Sequence, residues 1–332
     1  MGKGKIFIEL THNYNRVNPE YVEQFRREGY EVAFLPSSGQ ELAAIPKEKI
    51  LELFRGCEIA SVCILPITKE MMDEAPDLKL ITVFGSGVDG VDLAEATRRK
   101  IPVVNGRGGG AIAVAEQVVS MMMALARNLP QYHEDMRDGI WKSMMGSELF
   151  GKTVGIVGVG AIGGQLARIL SQGFHMKVLA HDIVPNPELT KQYGVQYIAM
   201  EEMFSKADFV SVHTPLLPST RGMVHDRLLG LMKPSAYLVN ASRGGVVDES
   251  ALHTALLEGK IAGAGLDVFA QEPPAENPFA QMNNVVLSPH VAANTPETVF
   301  RIGKLLEENI RDVLAGRPPH QNIVNREVLQ TR

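Results

Sequence analysis

Cysteine occurs only twice in 332 residues, at Cys57 and Cys63, in an apolar stretch without metal-ligand spacing. That scarcity argues against a disulfide framework; a reducing, cytoplasmic setting and no metal site are expected. Positive charge is also in deficit. Lysine and arginine number 33 against 38 aspartates and glutamates, a net charge of −5, so no basic field exists to hold a polyanion and no nucleic acid is expected as partner. The one basic run, Arg98-Arg99-Lys100, closes a predicted helix over residues 93–99, where cations meet the negative end of the helix dipole. Long apolar runs are missing too. The longest, residues 118–126, is far below the roughly 20 residues that span a bilayer, and the apolar part of the first ten residues is too short for a signal peptide. A soluble protein with no membrane partner is the expectation.

What is present is a full core. Hydrophobic residues make up 45% and charged residues 21%, which excludes disorder for the bulk of the chain, and 332 residues predict two lobes. Short β-branched runs at residues 6–8, 32–35, 59–65, 80–84 and 103–104 alternate with helical patterns. Strands separated by helices imply a parallel sheet, because parallel neighbours need a crossover. A glycine-rich joint follows at residues 106–110, then a mostly apolar helix over 111–127 that stops before Pro130 and is placed at the junction of the lobes. A second strand series runs through residues 153–157, 177–180, 209–212, 236–239, 263–268 and 285–287, with helices such as 165–170 and 250–258 between them. The fold class is α/β with two doubly wound parallel sheets. An amphipathic helix over 298–314 ends at Gly316 ahead of Pro318 and Pro319; periodicity does not say on which lobe it packs.

Gly158-Val159-Gly160-Ala161-Ile162-Gly163 directly follows the strand 153–157 and opens a helix. In a G-x-G-x-x-G turn the first glycine makes the bend, the second lets backbone approach a pyrophosphate, and the third allows the helix to pack closely. Asp182, at the end of the next strand, can accept from both ribose hydroxyls and would repel a 2′-phosphate, so NAD is expected as cofactor rather than NADP. Three polar residues stand after later strands: Arg243, Glu272 and His290. An arginine fork can clamp a 2-oxo acid, a histidine can deliver a proton to its carbonyl oxygen, and a carboxylate can orient that histidine and raise its pKa.

These stretches, with His213-Thr214-Pro215-Leu216, Leu238-Val239-Asn240-Ala241-Ser242-Arg243-Gly244, Val247-Asp248-Glu249, Leu266-Asp267-Val268-Phe269 and Ser288-Pro289-His290, resemble the D-isomer-specific 2-hydroxyacid dehydrogenase family. The resemblance implies a Rossmann NAD-binding domain over residues 106–295 and a flavodoxin-like, discontinuous substrate domain over 1–105 plus 296–332. It implies that Arg243, Glu272 and His290 are catalytic, with His290 the proton donor. It implies that Gly158, Gly160, Ala161, Ile162, Gly163, Asp182, His213, Thr214, Pro215, Ala241, Ser242 and Asp267 bind the cofactor, Asp267 being assigned to the nicotinamide carboxamide. Ser86 and Gly87 are expected to hold the substrate carboxylate through backbone N–H groups, beside Arg243 and His290. The resemblance also implies a homodimer whose arm includes Gly139-Ile140-Trp141. Reversible reduction of a small 2-oxo acid by NADH is the expected activity; an NAD-sensing corepressor-like binding protein and a phosphite- or formate-type dehydrogenase are the alternatives. Val83 stands where phosphoglycerate dehydrogenases carry a phosphate-binding arginine, and with the chain ending at Arg332 their regulatory domains are not expected. Both features disfavour a phosphorylated substrate. Gly106-Arg107 departs from the usual Thr-Pro of the joint and predicts a looser segment, with Arg107 as a second anion contact.

Overall fold

The computed structural model describes residues 3–329. They divide into two compact units, one holding the chain up to Gly110 together with the stretch from Asn294, the other Ala111–Ala293.

Among the described residues the first unit has one five-stranded parallel sheet: β1 (Lys3–Thr11), β2 (Tyr30–Ser37), β3 (Ile59–Val62), β4 (Leu80–Val83) and β5 (Val103–Asn105), in the order β2-β1-β3-β4-β5. The order reverses between β1 and β3, and ligands of doubly wound sheets bind beyond the strand carboxyl ends at such a reversal. Side chains alternate along a strand, so Ile6, Ile8 and Leu10 enter one apolar cluster and Phe7 the other. Burial on both faces explains why these strands read as continuous apolar runs. The face carrying Ile6 and Ile8 is closed by Val299, Ile302, Leu306 and Ile310, one stripe of the helix Pro296–Leu314. Tertiary packing thus decides what periodicity left open. The helix starts two residues earlier than its apolar pattern, because the Thr295 hydroxyl accepts from the Thr298 N–H and caps it.

β3 is shorter than the apolar run 59–65. Past Val62 the backbone N–H groups of Cys63, Ile64 and Leu65 turn to the buried carboxylate of Glu9 instead of a neighbouring strand. The glycine-rich segment 106–110 is better tied than its composition predicts. The Gly106 N–H donates to the Val83 and Gly85 carbonyls, Asn322 donates to the Arg107 carbonyl, and Arg301 donates to the Gly109 carbonyl.

The second unit is built on β6 (Thr153–Val157), β7 (Lys177–His181), β8 (Gln196–Tyr197), β9 (Phe209–Val212), β10 (Tyr237–Asn240), β11 (Gly263–Leu266) and β12 (Val285–Leu287), all parallel, in the order β12-β11-β10-β9-β6-β7-β8. The reversal falls between β6 and β9, as in dinucleotide-binding sheets. β8 has no sequence signature: it is a two-residue edge strand that pairs, among the described residues, with Leu179 and Ala180. The apolar helix Ala111–Ala126 belongs to this unit, where Val118, Met121, Met122 and Leu125 join the cluster formed with the helix Ala161–Gly173 and the sheet. No single helix among the described residues is long and apolar enough to cross a membrane.

Candidate active site

Five adjacent strands of the second sheet end in chemically distinctive residues. Gly158 follows β6, His213 follows β9, Ala241-Ser242-Arg243 follow β10, Asp267 follows β11 and His290 lies just beyond β12. Since the strands are parallel neighbours, their carboxyl ends bring these segments to one edge of the sheet.

At the β6 end, Gly158 adopts φ 89°, a left-handed value that favours glycine. A side chain on Gly163 would put its Cβ 2.2 Å from the Gly158 carbonyl oxygen, so the third glycine lets the helix Ala161–Gly173 sit against the turn. At Gly160, by contrast, a Cβ would meet no atom of the described residues within 4 Å, and none of their side chains caps the helix that begins there. Uncapped N–H groups at an open helix N-terminus form an anion site, so the turn fits a dinucleotide pyrophosphate. Ala161 is exposed and Ile162 half-buried at that opening. Asp182 already holds the loop: its Oδ2 accepts from the Val159 N–H at 2.7 Å and its Oδ1 from the Val184 N–H at 2.9 Å. Each carboxylate oxygen has a further acceptor position for a ribose hydroxyl.

His213 points inward. Its Nε2 lies 2.8 Å from the Ser211 hydroxyl, its Nδ1 is buried without a hydrogen-bond partner among the described residues, and burial holds its pKa down to about 4, so the ring is neutral near pH 7. Its backbone N–H donates to the Val157 carbonyl, linking the β9 end to the dinucleotide turn. Thr214 is half-buried and Pro215 exposed.

At the β10 end, Asn240 is buried and organises the turn beyond it. Its Oδ1 accepts from the Ser242 N–H at 3.1 Å and the Ser242 hydroxyl at 2.8 Å, while its Nδ2 donates to the Arg243 carbonyl at 3.0 Å. Ala241 is buried in the core beside this turn. The Arg243 Nη1 donates to the Ser242 carbonyl at 2.8 Å. Gly244 permits the next step: a Cβ there would stand 1.9 Å from the Phe269 carbonyl carbon, so only a glycine lets the Arg243 segment lie directly on the loop leading to Glu272.

Glu272 and His290 meet. His290 Nδ1 is 2.6 Å from Glu272 Oε2, and Glu272 Oε1 accepts from the Phe269 N–H at 2.9 Å. The hydrogen bond to Glu272 raises the His290 pKa above its ordinary 6.5; burial and the Arg243 charge oppose the rise and the charges of Glu272 and Asp267 support it. Burial pushes Glu272 up, but its bonds to His290 and Phe269 and the charges of His290 and Arg243 leave it lower than usual. The Arg243 charge acts on both members of the pair, which brings all three predicted catalytic residues into one electrostatic neighbourhood.

Asp267 has a larger structural part than its sequence position predicts. It is fully buried; its Oδ1 accepts from the Ser288 hydroxyl at 2.5 Å and the Val291 N–H at 2.9 Å, and its Oδ2 accepts from the Ala292 N–H at 3.0 Å. Its carbonyl also accepts the His290 N–H at 2.8 Å. Asn240, Gly244 and Ser288 stand within the motifs that carry the family resemblance, yet nothing in their spacing signals the contacts they make.

Ser86 and Gly87 belong to the first unit, just past β4. Their backbone N–H groups make no hydrogen bond among the described residues, while the Ser86 carbonyl accepts from Asn105 Nδ2 at 2.6 Å. A loop fixed by its carbonyl with its N–H groups uncommitted suits an anion. Arg107 is exposed, its carbonyl held by Asn322.

Compared with known proteins, residues 119–292 match the family described as D-isomer specific 2-hydroxyacid dehydrogenase, NAD binding domain. A glyoxylate reductase of Korarchaeum cryptofilum is 40% identical over 294 residues, 86% of this chain and 88% of that one. The human D-3-phosphoglycerate dehydrogenase is 40% identical over 276 residues, 82% of this chain but 52% of that protein, so the match spans about half the length of that relative. Among solved structures, the NAD-complexed D-isomer specific 2-hydroxyacid dehydrogenase of Lactobacillus delbrueckii ssp. bulgaricus is similar with a TM-score of 0.78 at 28% identity, covering 96% of this chain and 99% of that one.

Proposed function

The chain belongs to the D-isomer specific 2-hydroxyacid dehydrogenase family, an NAD-binding oxidoreductase family, and on that premise we propose that it reduces a small 2-oxo acid to the D-2-hydroxy acid, reversibly, with His290 as proton donor. The bond between His290 Nδ1 and Glu272 Oε2 carries the reading. An ionised carboxylate only accepts hydrogen bonds, so Nδ1 bears the hydrogen facing Glu272 and the exchangeable proton sits on Nε2. Glu272 favours the imidazolium and thereby loads the donor.

When bound, the dinucleotide supplies the hydride. The Gly158–Gly163 turn and Asp182 would hold it, and the fit of that turn to a pyrophosphate supports this assignment, as Asp182 supports NAD over NADP. Arg243 offers a planar fork to the carboxylate and carbonyl oxygen of the acid, and its charge stabilises the oxygen as negative charge builds there. His290 gives that oxygen its Nε2 proton; in the oxidative direction the neutral ring takes it back. The Ser86 and Gly87 N–H groups would receive the substrate carboxylate.

A panel of 2-oxo acids assayed with NADH tests the reading. Turnover of at least one member in the kcat/KM range of ordinary enzymes, about 10⁴ M⁻¹s⁻¹ or above, is expected. Negligible turnover of every member would leave an NAD-sensing binding protein as the better account. A homodimer also forms part of the proposal: Ile140 and Trp141, in the arm that the resemblance assigns to a neighbour, stand exposed, Trp141 at 90%, and Met145 and Phe150 are exposed shortly after them in the chain.

A further inference from the structure

We infer that Glu9 makes the site select 2-oxo acids bearing a single anionic group over those bearing a second, by occupying the backbone donors with which the loop after β3 would otherwise hold that group. The inference rests on the 2-oxo acid reading above and deepens it.

Glu9 lies near the carboxyl end of β1 and is 0% exposed. Its Oε2 accepts from three successive backbone N–H groups, those of Cys63 at 2.7 Å, Ile64 at 3.0 Å and Leu65 at 3.1 Å. Consecutive N–H groups converging on one point form the concavity that proteins use to bind phosphate and other anions. Here the anion in the concavity is a side chain of the protein itself.

The position gives this arrangement its functional meaning. β1 and β3 are the pair at which the first sheet reverses its order, the place where such sheets take ligands. The loop also adjoins the candidate carboxylate loop: the Phe84 N–H donates to the Val62 carbonyl at 2.7 Å, the Cys63 thiol approaches the Phe84 carbonyl at 3.8 Å, and Phe84 leads into Ser86 and Gly87. Neighbouring strand ends therefore hold one loop with uncommitted donors and one whose donors are taken. A substrate's single carboxylate is served by the first. A second anionic group reaching the β3 loop would find no free N–H there and a carboxylate beneath it, a juxtaposition of like charges that suppresses the wrong partner. The neighbouring Val83 is buried and apolar and supplies no compensating cation.

Glu9→Ala removes both the charge and the acceptor, leaving the three N–H groups uncommitted. For the holoenzyme, the ratio of kcat/KM for hydroxypyruvate to that for its 3-phosphate is expected to fall at least about tenfold in this variant, mainly through a lower KM for the phosphate ester. A purely structural role would lower both substrates alike and leave the ratio in place, which overturns the inference. A second arm needs no turnover: inorganic phosphate is expected to raise the thermal midpoint of Glu9→Ala and leave that of the unaltered protein in place. If the unaltered protein reduces neither substrate, the 2-oxo acid reading fails by itself and the phosphate shift alone decides, its absence overturning the role of Glu9. Should Glu9→Ala not fold, Glu9→Gln, which removes the charge and keeps an acceptor for the N–H groups, is read in its place by the same substrate ratio: a fall supports the inference, and an unchanged ratio overturns it.

Discussion

His290 pairs with Glu272 across 2.6 Å while its own backbone sits in the left-handed region at φ 53°. A non-glycine residue there is strained by about 1–3 kcal/mol and persists only where its surroundings over-determine it. Asp267 provides that constraint, taking the Ser288 hydroxyl and the Val291 and Ala292 N–H groups on its buried carboxylate and the His290 N–H on its carbonyl. The imidazole is thereby aimed by a turn that a side chain three positions beyond Ala264 anchors from the neighbouring strand end.

The pair is expected to set the pH dependence. In the proposed mechanism reduction needs the imidazolium, and Glu272 raises the His290 pKa above 6.5, so kcat/KM for reduction is expected to fall as pH rises through that elevated value. In Glu272→Gln the raising charge is gone, and the descending limb moves to lower pH. A pH–rate profile whose limb stays in place would show that Glu272 does not govern the proton on His290.

Removing the donor and altering the clamp have distinct signatures. His290→Ala is expected to abolish turnover while NADH affinity, followed by nucleotide fluorescence, stays near that of the unaltered protein. Loss of NADH binding would mark His290 as scaffold. Arg243→Lys keeps the charge but loses the fork, and kcat/KM should fall by about a hundredfold or more, on the order of 3 kcal/mol of transition-state stabilisation. A near-native value would place the clamp elsewhere.

Gly244→Ala tests how the catalytic loops are brought together. Its Cβ would collide with the Phe269 backbone, which cannot yield as a flexible side chain does. Overpacking of this kind costs about 1–3 kcal/mol or more, so a lower unfolding midpoint in urea is expected together with a loss of kcat. Native activity and stability would mean that the two segments separate without consequence.

Cofactor choice is expected to depend on Asp182. Its replacement by Ala removes the charge that a 2′-phosphate would meet and the acceptor of the Val159 and Val184 N–H groups, so the NAD-to-NADP ratio of kcat/KM should narrow as overall affinity declines. An unchanged ratio would assign the discrimination to another residue.

Trp141→Ser probes association. The indole is almost fully exposed, and large exposed aromatic surface is characteristic of interface anchors. Sedimentation should show a dimer for the unaltered protein and dissociation at higher concentration for the variant; a monomer in both would remove the dimer from the proposal.

How much was legible depends on where each signal resides. The glycine turn, Asp182 and most strands show in local pattern, because a sharp bend and a buried strand each need particular residues at fixed spacing. The two-residue β8 was invisible, since a polar edge strand carries no alternation. β3 was overestimated for a different reason: Cys63, Ile64 and Leu65 are apolar like the strand before them, but their N–H groups answer to Glu9, 54 to 56 positions away.

Chain order alone settled the fold class and pointed to the dinucleotide turn and to an imidazole, a carboxylate and a guanidinium as candidate site groups, since these depend on residue type and short-range spacing. It could not settle that Glu9 fills the concavity after β3, that Gly244 lets two loops touch, or that Asp267 anchors the turn of His290. Those relationships join segments far apart in the chain, and a contact of that kind exists only once sheet order has brought the strand ends side by side.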